Sequence, residues 1–318
     1  MEIIEEARRK IAALEIQGAT NVAHVAIQAL VDYVKELKNS DPQEILKCLE
    51  NAKTVLMDAR ATEPTMRNGL NYVTRSLAKR MHDMKPTELT NIPRSVSQFA
   101  SEYKKLLNES KDLITQYGAR RIPDSSSPNR FVIFTHCHSS VVTAILIEAH
   151  KQGKQFDVIC TETRPRYQGR LTAQELADAG IHVIQVVDSA MRWAIHSYEV
   201  DLILIGADAI TSDGTVLNKI GSRLLALVAR EEHVPFYVAS PLLKYNPETA
   251  FGKWEKIDMR DGNEIWGTYE KRPENIEILN PAFETVARTY INALITEAGV
   301  FPPENVHWQF RERYPVLL

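Results

Sequence analysis

Apolar side chains recur every three or four residues up to about position 118 of the chain. They do so from Ile3 to Leu14, from Val22 to Leu37 and from Ile45 to Leu56. This spacing places them on one face of an amphipathic helix. A fourth helix is expected from about Asn68 to His82 and a fifth from Ser95 to Tyr117. The pattern therefore predicts an entirely helical N-terminal domain.

Proline and glycine mark the ends of these predicted helices. Asp41-Pro42 suits an N-cap followed by proline at the first helical position, so a helix should begin there. Glu63-Pro64 is expected to break the pattern before the fourth helix. Gly118 is expected to end the fifth helix.

After Pro128, short apolar runs alternate with helical stretches. Runs of this length predict buried strands, and the alternation predicts a parallel, doubly wound sheet. The predicted fold is α/β, with a helical N-terminal domain (1–122) followed by a Rossmann-like domain (123–318). The expected strands are Phe131–Thr135, Phe156–Cys160, His182–Val187, Leu202–Gly206, Pro235–Ala239 and Ile291–Ile295. The expected helices between them are Val141–His150, Ala173–Ala179, Ala190–Ser197 and Lys219–Glu231.

Composition excludes several classes of function. A net charge of -3 argues against general binding of nucleic acid. The three cysteines are odd in number and widely spaced, which predicts a reducing compartment without disulfides. Neither a signal peptide nor an apolar run long enough to cross a membrane is found, so a cytoplasmic protein is expected. No metal site and no cofactor are predicted, because zinc-ligand spacing and a dinucleotide-binding glycine motif are both missing.

A cysteine lies in the turn between the first predicted strand and the helix that follows it. The turn His136-Cys-His-Ser-Ser140 is expected at the carboxyl ends of the strands, where α/β proteins bind ligands. The N–H groups of Ser139, Ser140 and Val141 would begin the helix and favour an anion. The helix dipole would favour the thiolate of Cys137. A buried, chemically inert cysteine is an equally good interpretation from position alone.

Other polar residues are expected at the same edge of the sheet. Asp208 follows the strand that ends at Gly206, and Asn218-Lys219 is expected to open a helix where a phosphate could bind. Lys244 follows another strand. Each has a structural alternative. Asp208 could cap a helix or form a turn, and Asn218 could cap a helix. The two lysines could be solvated surface charges. A thiol, a carboxylate and several cations together suit proton transfer on a phosphorylated substrate.

For two further segments, a structural role is the favoured interpretation. The loop Thr161–Arg170 carries three arginines and could bind anions, but an interaction that fixes a loop or a subunit interface is favoured. Asp188 is expected to cap the helix that follows it.

Five motifs occur together in the second half of the chain. They are His136-Cys-His-Ser139, Thr161-Glu-Thr-Arg-Pro-x-x-Gln-Gly169, Val187-Asp-Ser-Ala190, Gly206-Ala-Asp208 and Asn218-Lys-Ile-Gly221. Together they resemble one superfamily, which contains ribose-1,5-bisphosphate isomerase, methylthioribose-1-phosphate isomerase and the regulatory α, β and δ subunits of the eukaryotic initiation factor 2 exchange factor. Asn280-Pro-Ala-Phe283 and Ile295-Thr-Glu-Ala-Gly299 look most like the ribose-1,5-bisphosphate isomerase branch.

The resemblance implies an activity and the residues that perform it. The reaction would convert ribose 1,5-bisphosphate to ribulose 1,5-bisphosphate during degradation of nucleoside monophosphates. Cys137 would be the base and Asp208 the acid, with neither a metal nor an organic cofactor. Dimers, and hexamers built as trimers of dimers, are implied, with a small sugar bisphosphate as partner and neither nucleic acid nor membrane. The implied substrate-binding residues are Gln17, Gly18, Ala19, Thr20, Arg60, Ser139, Ser140, Val141, Asn218, Lys219 and Lys244.

Two positions depart from the family pattern. Gln17 stands where the family usually has Arg, and Ser140 stands where Lys is frequent. Both changes remove a cation from a site expected to hold two phosphates. A non-catalytic regulatory subunit and an isomerase of another sugar 1-phosphate, such as methylthioribose 1-phosphate, are therefore kept as alternatives. Retention of both Cys137 and Asp208 argues against the regulatory alternative.

Overall fold

The computed structural model describes the chain except for Gln17, 39–40, Ala61, 84–90, 125–129 and 268–270. The described residues pack as two compact units. The first contains Met1–Glu109, Leu243–Tyr245 and Trp308–Leu318, and the second contains Ser110–Leu242 and Asn246–His307. The division falls inside a long helix rather than at 122/123. The predicted boundary between separately folding domains stays a prediction.

The first unit is built from helices, as the apolar periodicity predicts. Its core includes fully buried side chains from several of them, among them Ile27, Leu49, Leu70 and Tyr103. The helices are α1 (Glu2–Ala12), α2 (Ala19–Glu36), α3 (Pro42–Met57), α4 (Pro64–Asp83) and α5 (Ile92–Ala119), of which the part to Glu109 belongs here.

Two predicted helix boundaries are found in the structure. Asp41 caps α3 by accepting the N–H of Gln43, with Pro42 as the first helical residue, so this prediction is confirmed. The predicted break at Glu63-Pro64 is also confirmed, since α3 ends at Met57, but α4 begins at Pro64 itself rather than at about Asn68. Proline has no N–H to lose at that position, where a helix leaves the N–H unpaired in any case.

The second unit contains a seven-stranded sheet. Its strands are β1 (Phe131–Thr135), β2 (Phe156–Thr161), β3 (Val183–Val186), β4 (Leu202–Ile205), β7 (Phe236–Ala239), β9 (Ala293–Thr296) and β10 (Gly299–Phe301). Their order is β10-β9-β7-β4-β1-β2-β3, with parallel pairing except between β9 and β10. The predicted α/β class is confirmed. The helices are α6 (Ser140–Lys151), α7 (Gln168–Asp178), α8 (Met191–Ser197), α9 (Ser222–Glu231), α10 (Asn263–Trp266) and α11 (Val306–Arg313), the last belonging to the first unit from Trp308 on.

The order of the strands reverses next to β1. The chain leaves β1 for β2 and β3 on one side and then returns to β4 on the other side. Ile133 pairs with Leu202, and Phe134 pairs with Ile203, so β1 and β4 are direct neighbours. Helices that follow strands on either side of such a point diverge and leave a crevice at the carboxyl ends.

A second, antiparallel sheet has no counterpart in the sequence-based prediction. It consists of β5 (Ala209–Ile210), β6 (Val216–Lys219) and β8 (Phe283–Val286), in the order β5-β6-β8. The prediction that a helix begins at Lys219 is therefore wrong. Asn218 pairs with Glu284 and Lys219 with Phe283 as strand residues.

Over the described residues, no helix combines the length and the apolar character that a bilayer crossing requires.

Candidate active site

Cys137 lies in the turn between β1 and α6, as predicted. Ser139 is the N-cap of α6, and its hydroxyl accepts the N–H of Val142 at 3.4 Å. Cys137 has a φ of 67°, in the left-handed region that few non-glycine residues adopt. Its backbone conformation must therefore be held by the surroundings.

The electrostatic environment of the Cys137 thiol differs from the prediction. Burial raises the pKa of this thiol to about 11, because a buried thiolate loses its solvation. The positive charge of Lys219 opposes the rise, while the carboxylates of Asp208 and Asp188 add to it. Lys219 and the N–H of His138 do lower this pKa, as predicted for a cation and a helix start, but burial outweighs them and the net shift is upward. Cys137 is a neutral thiol near pH 7.

This pKa has a measurable consequence. We expect the alkylation rate of Cys137 by iodoacetamide to rise steadily from pH 7 to about 10, because only the thiolate reacts and its pKa is about 11. N-acetylcysteine should level off above its pKa of ~8.5. Peptide mass spectrometry would follow Cys137 separately from Cys48 and Cys160. A plateau for Cys137 below pH 9, in protein whose circular dichroism is unchanged, would contradict a neutral thiol of raised pKa.

Asp208 lies after β4, beside the crevice at the reversal of strand order. Its N–H donates to the carbonyl oxygen of Leu217 at 2.8 Å, which fixes its backbone against β6. Gly206 precedes it closely, and a β-carbon at position 206 would lie 2.6 Å from the Ser139 hydroxyl oxygen. The loops after β1 and β4 thus contact each other. Cys137 and Asp208 follow the carboxyl ends of two different strands of one sheet, as predicted, and the structure shows that these strands, β1 and β4, are neighbours.

Asn218 and Lys219 end β6 and lie in the same unit as Cys137. Asn218 Nδ2 donates to the Ser222 hydroxyl at 2.9 Å, which in turn donates to the carbonyl oxygen of Lys219 at 2.7 Å. The Lys219 ammonium lies 4.7 Å from the centre of the Phe283 ring, and the residue is only 8% exposed. This places a buried cation within electrostatic range of the Cys137 thiol.

The N-terminus of α9 is occupied by a carboxylate of the protein. Glu284 accepts the N–H of Gly221 at 2.5 Å and the N–H of Arg223 at 2.9 Å. These are the N–H groups that a phosphate at this helix start would need. Any phosphate bound by Asn218 and Lys219 must therefore use their side chains rather than this helix terminus.

Three threonines to which the sequence analysis gave no role at the cysteine hold the Cys137 turn. The Cys137 N–H donates to the Thr163 hydroxyl at 3.0 Å, and the Thr172 hydroxyl donates to the Cys137 carbonyl oxygen at 2.9 Å. His136 Nδ1 lies 2.6 Å from the Thr161 hydroxyl. Spacing along the sequence gave no sign of these contacts, because their partners are 25 to 35 residues apart.

Asp188 has a different role from the predicted helix cap. Its carboxylate accepts the N–H of Thr163 at 2.8 Å and the N–H of Arg164 at 2.6 Å. It therefore fixes the loop after β2. Arg164 also donates to the Tyr167 hydroxyl at 3.1 Å. Both contacts agree with the structural role favoured for this loop.

The remaining candidates belong to the first unit, and Gln17 lies outside the described residues. Gly18 is the N-cap of α2 with a φ of 84°, and Ala19 and Thr20 are its first two residues. Arg60 forms a buried ion pair with Glu63, with Nη1 2.7 Å from the carboxylate.

Lys244 also belongs to the first unit, although it was predicted at the edge of the Rossmann-like sheet. Asn68 Nδ2 donates to the carbonyl oxygens of Leu243 and Tyr245, both at 2.8 Å. The Tyr245 ring lies 4.5 Å from that of Phe310. These contacts place the short segment Leu243–Tyr245 in the first unit.

Comparison with known proteins decides the family. A model of the initiation factor 2 subunit family matches residues 15–303. The chain belongs to this family. The resemblance found in the sequence is confirmed.

Proteins that are similar over nearly the whole chain carry the names of different functions. Ribose 1,5-bisphosphate isomerase of Methanocaldococcus jannaschii is 37% identical over 314 residues, covering 99% of this chain and 96% of that protein. Methylthioribose-1-phosphate isomerase of Thermoanaerobacter sp. is 31% identical and covers 91% of this chain and 84% of that protein. Among solved structures, the translation initiation factor eIF-2B of Pyrococcus horikoshii has a TM-score of 0.77 at 27% identity, covering 95% of this chain and 98% of that one.

Proposed function

We propose that this member of the initiation factor 2 subunit family is an aldose–ketose isomerase that converts ribose 1,5-bisphosphate to ribulose 1,5-bisphosphate. The observation that carries the proposal is a half-buried thiol of raised pKa and a carboxylate at the reversal of strand order, within electrostatic range of the buried cation Lys219. The similarity to curated ribose 1,5-bisphosphate isomerases over nearly the full chain supports this substrate. We place the reaction in the degradation of nucleoside monophosphates.

The proposed chemistry uses Cys137 and Asp208 as a pair that shares one proton. Aldose–ketose isomerisation removes the proton at C2 and returns a proton at C1 through an enediol-type intermediate. The neutral thiol must first lose its proton before it acts as a base. Transfer of that proton to Asp208 gives a thiolate base and a carboxylic acid in one step, without changing the charge of the site. Asp208 then donates this proton to the ring oxygen as the sugar ring opens. The Cys137 thiol that has taken the C2 proton returns it to C1, and the proton of the 2-hydroxyl passes through Asp208 back to the Cys137 thiolate, so both groups regain their starting states.

Phosphate binding is assigned to groups near this pair. We propose that the N-terminus of α6, formed by Ser139, Ser140 and Val141, binds one phosphate through its N–H groups. The side chains of Asn218 and Lys219 supply an amide and a buried cation. On the family resemblance, the proposed further substrate-binding residues are Gln17, Gly18, Ala19, Thr20, Arg60 and Lys244.

The two departures from the family pattern are expected to affect binding more than chemistry. A cation that contacts substrate and transition state alike lowers KM without raising kcat. Gln17 and Ser140, which replace cations of the family, are therefore expected to raise KM. The family resemblance also leads us to propose a homo-oligomer built from dimers, with hexamers assembled as trimers of dimers.

Two alternatives are supported by particular relatives. The similarity to methylthioribose-1-phosphate isomerase favours a substrate with a thioether in place of one phosphate. The similarity to an archaeal initiation factor structure favours a regulatory protein without catalytic activity. A regulatory protein would need neither Cys137 nor Asp208, and a thioether substrate would need an apolar pocket where the second phosphate binds.

A direct assay separates the three functions. Purified protein is supplied with ribose 1,5-bisphosphate without added metal, and ribulose 1,5-bisphosphate is detected by coupling to ribulose-bisphosphate carboxylase. We expect turnover of ribose 1,5-bisphosphate and little of methylthioribose 1-phosphate or ribose 5-phosphate. If folded protein forms no product at millimolar ribose 1,5-bisphosphate, the proposed function is wrong. Turnover of methylthioribose 1-phosphate, or binding to an initiation factor, would then identify the alternative.

A further inference from the structure

We propose that Thr163 and Thr172 are positioning residues that hold Cys137 in its left-handed backbone conformation. One hydroxyl contacts the N–H of Cys137 and the other contacts its carbonyl oxygen, at 3.0 and 2.9 Å. This inference rests on the proposed function, because the position of Cys137 matters for catalysis only if its thiol is the base.

The Thr163 contact belongs to a chain of four hydrogen bonds whose direction follows from chemistry. His136 Nε2 lies 2.8 Å from the carbonyl oxygen of Ile220, and a carbonyl only accepts, so Nε2 carries a proton. Burial lowers the pKa of His136, so its ring is neutral and Nδ1 accepts from Thr161. The hydroxyl proton of Thr161 is therefore donated to His136 Nδ1. Thr163 must then donate its own hydroxyl proton to Thr161 across 3.2 Å. Thr163 is left as an acceptor for the N–H of Cys137.

This chain joins the cysteine turn to the end of β6. Ile220, which accepts the last hydrogen bond, directly follows Lys219, the cation that acts on the Cys137 thiol. His136, Thr161 and Thr163 are all buried. A β-carbon at position 221 would lie 2.8 Å from His136 Nε2, so the backbone packs tightly against the ring. The turn that carries the thiol and the end of β6 that carries the cation are thereby fixed to each other.

The Thr172 contact has a defined direction as well. The Thr172 hydroxyl donates to the Cys137 carbonyl oxygen, so it accepts from His138 Nδ1 at 3.2 Å. His138 Nε2 lies 3.7 Å from Glu175. Thr172 is buried on α7, and Thr163 precedes that helix. Both polar groups of the Cys137 backbone are therefore held from one segment of the chain.

The left-handed conformation explains why two contacts are needed. A non-glycine residue with a φ of 67° is strained and keeps that conformation only where its surroundings hold it. Without the threonine hydroxyls, Cys137 would relax toward the favoured regions of backbone conformation, and its thiol would move relative to Lys219 and Asp208. We expect such a change to reduce kcat more than it changes KM.

Matched variants test the proposal. Thr163→Val and Thr172→Val remove the hydroxyl at nearly constant volume, while Thr163→Ser and Thr172→Ser keep it. We expect each Val variant to lower kcat about tenfold, which corresponds to about 1.4 kcal/mol, roughly one hydrogen bond. KM should stay within about twofold, since ground-state binding is not the target. The Ser variants should retain wild-type kcat.

Alkylation of Cys137 gives a second measurement that needs no substrate. In the Val variants we expect its rate at pH 8 to rise about tenfold, because a fall of one pKa unit in a thiol that leaves its buried position multiplies the thiolate by ten. If a Val variant does not fold, as judged by circular dichroism, Thr163→Ala and Thr172→Ala replace it.

The two measurements separate failure of this inference from failure of the proposed function. Wild-type alkylation rates in folded variants without the hydroxyls would overturn the positioning role, whatever their isomerase activity. Ser variants as impaired as the Val variants would overturn it too, because the hydroxyl would not be the group that matters. A wild-type protein without isomerase activity would overturn the proposed function, while the alkylation rates would still decide whether the threonines hold Cys137.

Discussion

Cys137→Ser and Asp208→Asn are each expected to lower kcat by at least ~10², the usual contribution of one positioned acid or base. A serine hydroxyl is a far weaker acid than a thiol, so it cannot supply the base. An asparagine amide cannot carry the proton that the thiol releases. Coupled assays with ribose 1,5-bisphosphate would measure both effects.

A shared proton makes a sharper prediction for the double variant. If Cys137 and Asp208 exchange one proton, removal of either group disables the same step. The variant with both substitutions should then be about as slow as the slower single variant, because losses within one catalytic unit are strongly non-additive. Independent roles would instead multiply the two losses.

Control variants distinguish loss of chemistry from loss of structure. Cys48→Ser changes a half-buried cysteine of the first unit, and Asp178→Asn changes an exposed aspartate of α7. Both should retain near-wild-type kcat. Near-normal turnover in Cys137→Ser or in Asp208→Asn would remove that residue from the mechanism. Alkylation of Cys137 should also slow when a bisphosphate is bound, and equal labelling with and without it would place the thiol outside the site.

Local patterns in the sequence were sufficient to place Cys137 and Asp208. The first predicted strand, Phe131–Thr135, has the same bounds in the structure, and the strand before Asp208 differs by one residue. Buried parallel strands form continuous apolar runs, so both were easy to recognise. Alternation of strands and helices then places their carboxyl ends at one edge of the sheet. The reversal of strand order between them became visible only in the structure.

The antiparallel sheet escaped prediction because its strands are short and far apart in the chain. β5 has two residues, and β8 begins 64 positions after the end of β6. The helical spacing after Lys219 was extended backward over residues that pair with β8. Glu284 on β8 accepts N–H groups at the start of α9. This contact could not be predicted from sequence either, because β8 lies so far along the chain from α9.

The ionisation of Cys137 depended on distant groups. A helix start favours a thiolate, and that local argument gave the wrong sign. Burial dominates in the folded protein, and two carboxylates from other strand ends, Asp188 and Asp208, oppose ionisation further. Neither burial of one thiol nor the sum of charges around it can be obtained from the residues beside it. The threonine contacts to Cys137 were missed in the same way.

Gly169→Ala is expected to destabilise the second unit by ~3 kcal/mol or more, the upper range for an added methyl in a tightly packed site. Gly169 lies in the first turn of α7, and its backbone passes directly over the end of β2. A β-carbon at position 169 would lie 1.7 Å from the carbonyl oxygen of Thr161 and 2.8 Å from its carbonyl carbon. Backbone atoms cannot rotate away as a flexible side chain can, so α7 or β2 must shift.

Such a shift would affect the candidate active site as well as stability. Thr161 donates to His136, and Thr172 on α7 donates to Cys137, so movement between β2 and α7 disturbs both contacts. We therefore expect Gly169→Ala to lower the thermal unfolding midpoint and also kcat in whatever protein remains folded. Gln174→Ala, at an exposed position of the same helix, should change neither. A Gly169→Ala protein with the wild-type midpoint would mean that α7 does not pack this closely on β2, and the hydrogen bond from Thr172 to Cys137 would lose its structural basis.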